Sequence, residues 1–219
     1  MKLLVFSDTH LTEYVEEKKF NLLSDIISKA DRVVINGDFW DGYLSSFDEF
    51  IHSGWKNLFP LLKKKKAVYV YGNHDHKHFQ HTQKSKLFSE IQTDRFKIKI
   101  GNKTFIFEHG NRLLPFGDEE VFQAQIKSKL NRLSNTIEGI LIKTLGVHYQ
   151  RFLQKYNEII KTKLVKELKK NEFYVCGHTH SAEVDIKNRF INSGVIKDGL
   201  AQYIHISEKG FTPNNVIYY

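Results

Sequence analysis

The chain has 219 residues, 41% of them hydrophobic and 26% charged, with a formal net charge of +8 and a single cysteine, Cys176. That length suits one well-buried domain and is short for two, one cysteine excludes an internal disulfide, and no apolar run approaches the roughly 20 residues that span a bilayer. The basic excess favours polyanionic partners, but only six basic residues are arginine, so the charge comes mostly without the planar fork that reads bases or clamps phosphates, and nucleic acid is the less favoured partner.

Leu3 to Phe6 reads as a buried strand. It is too short for the core of a signal peptide and runs straight into Ser7-Asp8-Thr9-His10, so a cytoplasmic location is expected. Phe20, Leu23 and Ile27 form a helical stripe, Arg32–Ile35 a second strand, and Phe47, Phe50, Ile51, Leu58, Leu61 and Leu62 a second stripe. Lys63 to Lys66 reads as a solvated helix end, where positive charge opposes the helix dipole. Ala67–Tyr71 is a third strand, and strand-helix-strand alternation predicts an α/β sheet of βαβ units.

From Arg95 the pattern changes. Phe96, Ile98 and Ile100 alternate with basic residues, and Gly101-Asn102 turns the chain into Thr104–Glu108, which predicts a hairpin. Between Asp118 and Lys170, apolar residues recur three or four apart (Phe122, Ile126, Leu130, Leu133, Ile137, Leu141, Leu145, then Phe152 to Leu168). This predicts two or three amphipathic helices, interrupted near Gly139 and Gly146. They would form a helical insertion or cap, or a cover for a sheet, and their apolar faces offer a homodimer surface. After a strand at Phe173–Cys176 come short strand-like runs around Ala182–Ile186, Arg189–Asn192 and Ala201–Ile206, giving a mixed or antiparallel C-terminal part.

Five polar motifs follow strands: Ser7-Asp8-Thr9-His10, Asn36-Gly37-Asp38-Phe39-Trp40-Asp41, Gly72-Asn73-His74-Asp75, Glu108-His109-Gly110-Asn111 and Gly177-His178-Thr179-His180. Ligands in open α/β sheets gather at the carboxyl ends of strands, so these motifs should converge. Carboxylates, imidazoles and an amide suit borderline divalent metals, and two such ions can clamp a phosphoryl group. Gly37, Gly72, Gly110 and Gly177 are read as permitting tight turns that aim the side chains inward. His76, His78 and His81 read as a polar loop, and Cys176 as a small buried apolar residue.

In order, these motifs (D-x-H, G-D-x-x-D, G-N-H-D, H-G and G-H-x-H) resemble the signature of the calcineurin-like metallophosphoesterase superfamily, over Asp8 to His180. The resemblance implies a four-layer α/β/β/α sandwich of two mixed sheets with a helical insertion at 118–170, in a single domain over 1–219. It implies one metal held by Asp8, His10 and His180, with Asp38 bridging to a second held also by Asn73, His109 and His178. The ions would be Mn2+ by family habit, with Fe, Zn, Co or Ni as alternatives, and a metal-bound hydroxide would attack phosphorus in a phosphodiester or phosphomonoester. His74 would act as general acid or electrostatic stabiliser, Asp75 would orient its ring, and Asp41 would support a ligand or loop. Arg112 and Asn111 are candidate contacts to a phosphorylated small-molecule or nucleotide-type substrate, with Tyr43 a weaker one.

Within the superfamily, Gly37-Asp38-Phe39-Trp40-Asp41-Gly42 and the helical segment resemble the branch containing UDP-2,3-diacylglucosamine pyrophosphohydrolase. That branch usually carries Arg where this chain has His74, and H-G-D where it has His109-Gly110-Asn111. A general phosphoesterase is therefore expected, with the pyrophosphohydrolase, a nuclease, a nucleic-acid-binding module and a metal-bearing scaffold as alternatives.

Overall fold

The computed structural model describes residues 1–77, 84–115, 129–164 and 167–218. His78, His81, Phe122 and Ile126 of the sequence reading lie outside them. The first half builds a sheet from β1 (Leu3–Phe6), β2 (Arg32–Asn36), β3 (Val68–Val70) and β4 (Ile91–Thr93), all parallel neighbours. Helix α1 (Glu17–Ser28) connects the first two strands. The second apolar stripe, read as continuous, is broken into α2 (Phe47–His52), a 3-10 turn at Gly54–Leu58 and α3 (Phe59–Lys64). Two serines and a proline explain the breaks. Ser46 and Glu49 form a capping box at the start of α2, Ser53 accepts from the Trp55 amide, and Pro60 sits in the first turn of α3. Lys63 and Lys64 close α3 as expected, and Lys65 Nζ donates to the carbonyls of Ser28 and Ala30.

A second sheet is ordered β5 (Phe96–Ile100), β6 (Lys103–Phe107), β7 (Glu172–Cys176), β9 (Phe190–Asn192) and β8 (Glu183–Asp185). Its first pair is the expected hairpin, turning at Gly101 with φ +60°. The remaining strands, β10 (Ile196–Lys197), β11 (Leu200–Ser207) and β12 (Gly210–Ile217), return to the first sheet and bring it to seven strands. β11 lies antiparallel to β1, so both sheets are mixed.

The alternation of buried residues defines the layers. Leu3, Val5, Val34, Val68 and Val70 on one face of the first sheet pack with Phe105, Phe107, Phe173, Val175 and Ile191 of the second. Full burial of each such side chain contributes about 1.5–3 kcal/mol. The opposite face, with Leu4, Phe6, Val33 and Ile35, packs on Leu23, Ile27, Phe50 and Leu62 of the early helices. The outer face of the second sheet, with Ile106, Tyr174, Cys176 and Phe190, is covered by Ile160 and Leu164 of helix α5 (Val147–Leu164). The chain is thus an α/β/β/α sandwich.

Helix α4 (Lys129–Leu145) departs from its sequence reading. It runs unbroken through Gly139, and only Gly146, at φ +51°, ends it, with its amide bonded to the Ile142 carbonyl at 2.8 Å. Gly139 serves close approach instead: a Cβ there would lie 2.8 Å from Asp198 Oδ2. One turn on, Ile142 packs against Val195, just before β10, and Leu200 of β11. Among the described residues, no helix is long and apolar enough to cross a membrane.

Candidate metal centre

Because β1, β2 and β3 are parallel, the Asp8, Asp38 and Asn73 motifs leave the first sheet at one edge. The parallel β6 and β7 bring His109 and the His178 loop to the edge of the second. Asn36 ties the two edges together, its Nδ2 donating to Val175 O at 3.0 Å. All seven expected ligand residues converge here with His74, and His10, Asp38, Asn73, His74, His178 and His180 line one cavity of about 510 Å³.

Backbone conformation marks the same residues. Among the described residues, eight non-glycines have positive φ, and Asp8, His10, Asp38, His178 and His180 are five of them. Each such residue costs on the order of 1–3 kcal/mol, offset by the surrounding structure. The neighbouring glycines are needed mainly for space. A Cβ on Gly72 would sit 2.1 Å from Asp38 Oδ1, and one on Gly177 2.2 Å from Asp8 Oδ2. Of these four, only Gly37 (φ +90°) and Gly110 (φ +124°) also adopt a positive φ.

Three clusters of possible metal-ligating atoms result: Asp8, His10 and His180; Asp8, Asp38 and His109; and His10, Asp41 and His74. In the first, His180 Nε2 lies 3.3 Å from Asp8 Oδ1 and 3.2 Å from His10 Nε2. In the second, His109 Nε2 lies 3.2 Å from Asp38 Oδ2. The orientation of each ring is fixed from behind. His109 Nδ1 donates to the Asn36 carbonyl at 3.0 Å, and His178 Nε2 to the Leu114 carbonyl at 2.6 Å, so Nδ1 of His178 is its unprotonated nitrogen. Asp8 accepts from the His178 amide, and Asp38 from the His74 amide at 2.9 Å.

Two donor atoms test whether cations fit. Asn73 Oδ1 is buried and makes no hydrogen bond among the described residues, a costly state for a polar atom unless a ligand satisfies it, and buried His109 Nε2 faces the Asp38 and Asp8 carboxylates at 3.2 and 3.9 Å. With the adjacent Asp8 and Asp38 carboxylates, they make a mixed oxygen and nitrogen set suited to borderline divalent ions.

Charge is balanced inside the cluster. Burial would lower the His109 pKa, but Asp38 and Asp8 outweigh it and push it up to about 10. Burial is likewise outweighed at His180 by Glu138 and Asp8, giving about 10. At His178 burial and the neighbouring His109 together bring the pKa down to about 3. Burial opposes ionisation of Asp38, yet His109 and His74 hold its carboxyl well below the usual range.

Three expectations are corrected. The carboxylate on the His74 ring is Asp41, not Asp75: His74 Nδ1 donates to Asp41 Oδ1 at 3.0 Å, while the two Asp75 oxygens accept from the Phe39 and Gly72 amides at 2.7 and 2.6 Å. Asp41 also reaches His10, with Oδ2 3.3 Å from Nδ1. Arg112 does not line the cavity: its guanidinium lies between Glu108 and Glu167, bonded to both. Asn111, half-buried, lies outside the lining too, whereas Tyr43 is part of it.

Sequence reading missed Glu138 of α4 and Lys197 of β10. Glu138 Oε1 accepts from His180 Nδ1 at 2.6 Å, and Lys197 pairs with its other oxygen. The Gly139 that follows Glu138 was the one signal available, and it reads equally well as a helix break.

The fold and the clustered carboxylates and imidazoles define the metallophosphoesterase class. The chain belongs to the calcineurin-like phosphoesterase superfamily, whose domain model matches residues 1–204. A search of curated proteins finds no match. Among solved structures, the chain is similar to one described as a novel archaeal phosphodiesterase, with 18% identity, 99% of each chain covered and a TM-score of 0.53. It is also similar to Yfce, a phosphoesterase from E. coli (17% identity, all of both chains, TM-score 0.49). A single mutant of Vps29 from Entamoeba histolytica likewise matches over all of both chains, at 16% identity and a TM-score of 0.47.

Proposed function

We propose that this protein hydrolyses phosphoesters with two divalent cations. Asp8, His10 and His180 would hold one and Asn73, His109 and His178 the other, with Asp38 shared between them. The observation that carries this reading is the buried Asn73 Oδ1, without a hydrogen-bond partner among the described residues, in the cavity where Asp38 and Asp8 cluster with His109 Nε2. When bound, such cations supply Lewis acidity to a phosphoryl oxygen and lower the pKa of water. Mn2+ is the proposed ion by family resemblance, with Fe, Zn, Co and Ni as alternatives.

The chain's own residues orient the ester and move the proton. His74 lines the cavity, with Nδ1 held by Asp41. Burial would lower its pKa, but the Asp41 and Asp38 carboxylates raise it overall. The same carboxylates favour the protonated ring, whose Nε2–H would be available to a phosphoryl oxygen or to the departing alkoxide. Tyr43, whose hydroxyl donates to Asn73 O at 3.1 Å, holds the loop that carries both Asn73 and His74.

Helix α4 favours a polar alcohol group on the substrate. It turns Asn131, Ser134, Asn135 and Glu138 toward the cavity and leaves Leu133, Ile137 and Ile140 about half exposed on its other side. Amide and hydroxyl side chains hydrogen-bond a sugar or nucleoside better than they cover an acyl chain. With Tyr43, Leu44 and Leu153 also in the lining, the substrate supported is a phosphodiester or phosphomonoester of an alcohol that presents both polar and apolar surface.

Metal analysis of the purified protein, followed by turnover with Mn2+ on aryl phosphates, cyclic nucleotides, nucleic acids and UDP-acylglucosamines, tests the reading. Metal-dependent hydrolysis of such esters is expected. Absence of bound divalent metal, with no rescue by added Mn2+, overturns it.

A further inference from the structure

We propose that Glu138 is a positioning residue of the metal centre, so that helix α4 completes the centre as well as covering it. The inference rests on the metal-centre reading above. Glu138 Oε1 accepts from His180 Nδ1 at 2.6 Å, which turns Nε2 toward Asp8 Oδ1 at 3.3 Å and His10 Nε2 at 3.2 Å. A carboxylate behind an imidazole fixes the ring's orientation and tautomer and raises its basicity toward a cation.

Glu138 is itself held firmly. Lys197 of β10 pairs with Oε2, so the carboxylate is fixed between α4 and the first sheet. Gly139 lets the helix approach Asp198, where a Cβ would meet carboxylate oxygen at 2.8 Å. One turn further, Ile142 packs on Val195 and Leu200. Glycine, ion pair and apolar anchor together place the Glu138 backbone within reach of His180.

The same helical segment grips the backbone around His180 by separate contacts. Gln150 Nε2 donates to His180 O at 2.9 Å. Asn157 donates to Ser181 O at 3.0 Å and accepts from Thr179 Oγ1 at 2.7 Å. The loop is therefore held through its backbone by α5, while the imidazole ring is held by Glu138. Loss of Glu138 should free the ring and leave the loop in place, which separates positioning from a purely structural role.

Mn2+ titration of wild-type protein, Glu138→Ala and Glu138→Gln by calorimetry, beside kinetics at saturating Mn2+, tests this. One of the two Mn2+ ions is expected to bind about 10–100-fold more weakly in Glu138→Ala. Its kcat should recover at saturating metal, and its thermal midpoint without metal should stay near that of wild type. Glu138→Gln should recover most of the affinity, because its amide oxygen accepts the same hydrogen bond. Should Glu138→Ala not fold, Glu138→Asp takes its place, retaining charge beside Lys197 while falling short of His180. Two Mn2+ ions bound with wild-type affinity in the alanine or aspartate variant would overturn the inference while leaving the metal centre intact. Wild-type protein that binds no Mn2+ would overturn both.

Discussion

His74 Nδ1 lies 3.0 Å from Asp41 Oδ1, and the second oxygen of that carboxylate lies 3.3 Å from Nδ1 of His10. One buried carboxylate therefore orients a proposed proton donor and a proposed metal ligand. Asparagine at position 41 would keep one acceptor and turn an NH2 group toward the other ring. Asp41→Asn is expected to lose about 10²–10⁴-fold in kcat, the usual size of a general acid–base contribution. It should also weaken Mn2+ binding, whereas His74→Ala should lose similar turnover and keep its metal. Kinetics on an aryl phosphodiester with metal analysis of both variants checks this. Wild-type kcat in Asp41→Asn at saturating Mn2+ would remove the shared role.

The Gly177 Cα approaches Asp8 so closely that a methyl group would stand 2.2 Å from both Asp8 Oδ2 and Ser7 Oγ. Asp8 is fully buried and held by the His178 amide, so it has nowhere to retreat without leaving the cluster. Gly177→Ala is expected to destabilise the fold by about 1–3 kcal/mol through overpacking, and to weaken Mn2+ binding as well. Gly139→Ala meets a carboxylate on a loop instead, and should disturb α4 more than it disturbs Asp8. Chemical denaturation and metal titration of the two variants separate these outcomes. Wild-type metal affinity in a folded Gly177→Ala would show that Asp8 tolerates displacement.

Much of the sandwich is readable along the chain because its early strands are short apolar runs, each followed directly by a polar motif. β12 is harder to see: Pro213 and Asn214-Asn215 interrupt its pattern, and it forms only because an edge strand tolerates proline. Asp75 adjoins His74 in sequence, yet its oxygens are bonded to the Phe39 and Gly72 amides. Asp41, distant in sequence, is returned to His74 by the bond from the Gly42 amide to the His74 carbonyl at 2.9 Å. Glu138 is invisible for a related reason. A glutamate on an amphipathic helix reads as solvated until the loop after β7 supplies His180 and β10 supplies Lys197.

Arg112 follows His109 closely enough to suggest a phosphate contact, but its guanidinium bridges Glu108 and Glu167 with its side chain 47% exposed. The exposed pair with Glu167 contributes about 0–1 kcal/mol, whereas buried Glu108 would be left without its cation, a cost of about 1–3 kcal/mol. Arg112→Ala should therefore reduce stability by about 1–3 kcal/mol and leave kcat/KM unchanged. A loss of roughly tenfold in kcat/KM, equivalent to about 1.4 kcal/mol of transition-state stabilisation, would return Arg112 to the substrate site.

Lys161 of α5 reaches Glu183 at 2.6 Å and Asp185 at 3.1 Å, pinning the outer helix to β8. Asp185 also accepts from the Asn188 side chain and amide at 2.7 and 3.0 Å. The Asn188 bonds first, and Lys161 after them, bring its pKa down from 3.8 to about 2. A carboxyl group more acidic in the folded state stabilises that state above the unfolded pKa, and the stabilisation disappears as pH falls through the folded value. Asp185→Ala should thus cost about 1 kcal/mol, after allowance for solvent screening. That cost should be constant from pH 7 to 5, narrow below about pH 4 and vanish near pH 2. Urea unfolding of both proteins across that range measures the difference. A gap that stays constant down to the lowest measurable pH would mean that packing at Asp185, and not its charge, carries the contribution.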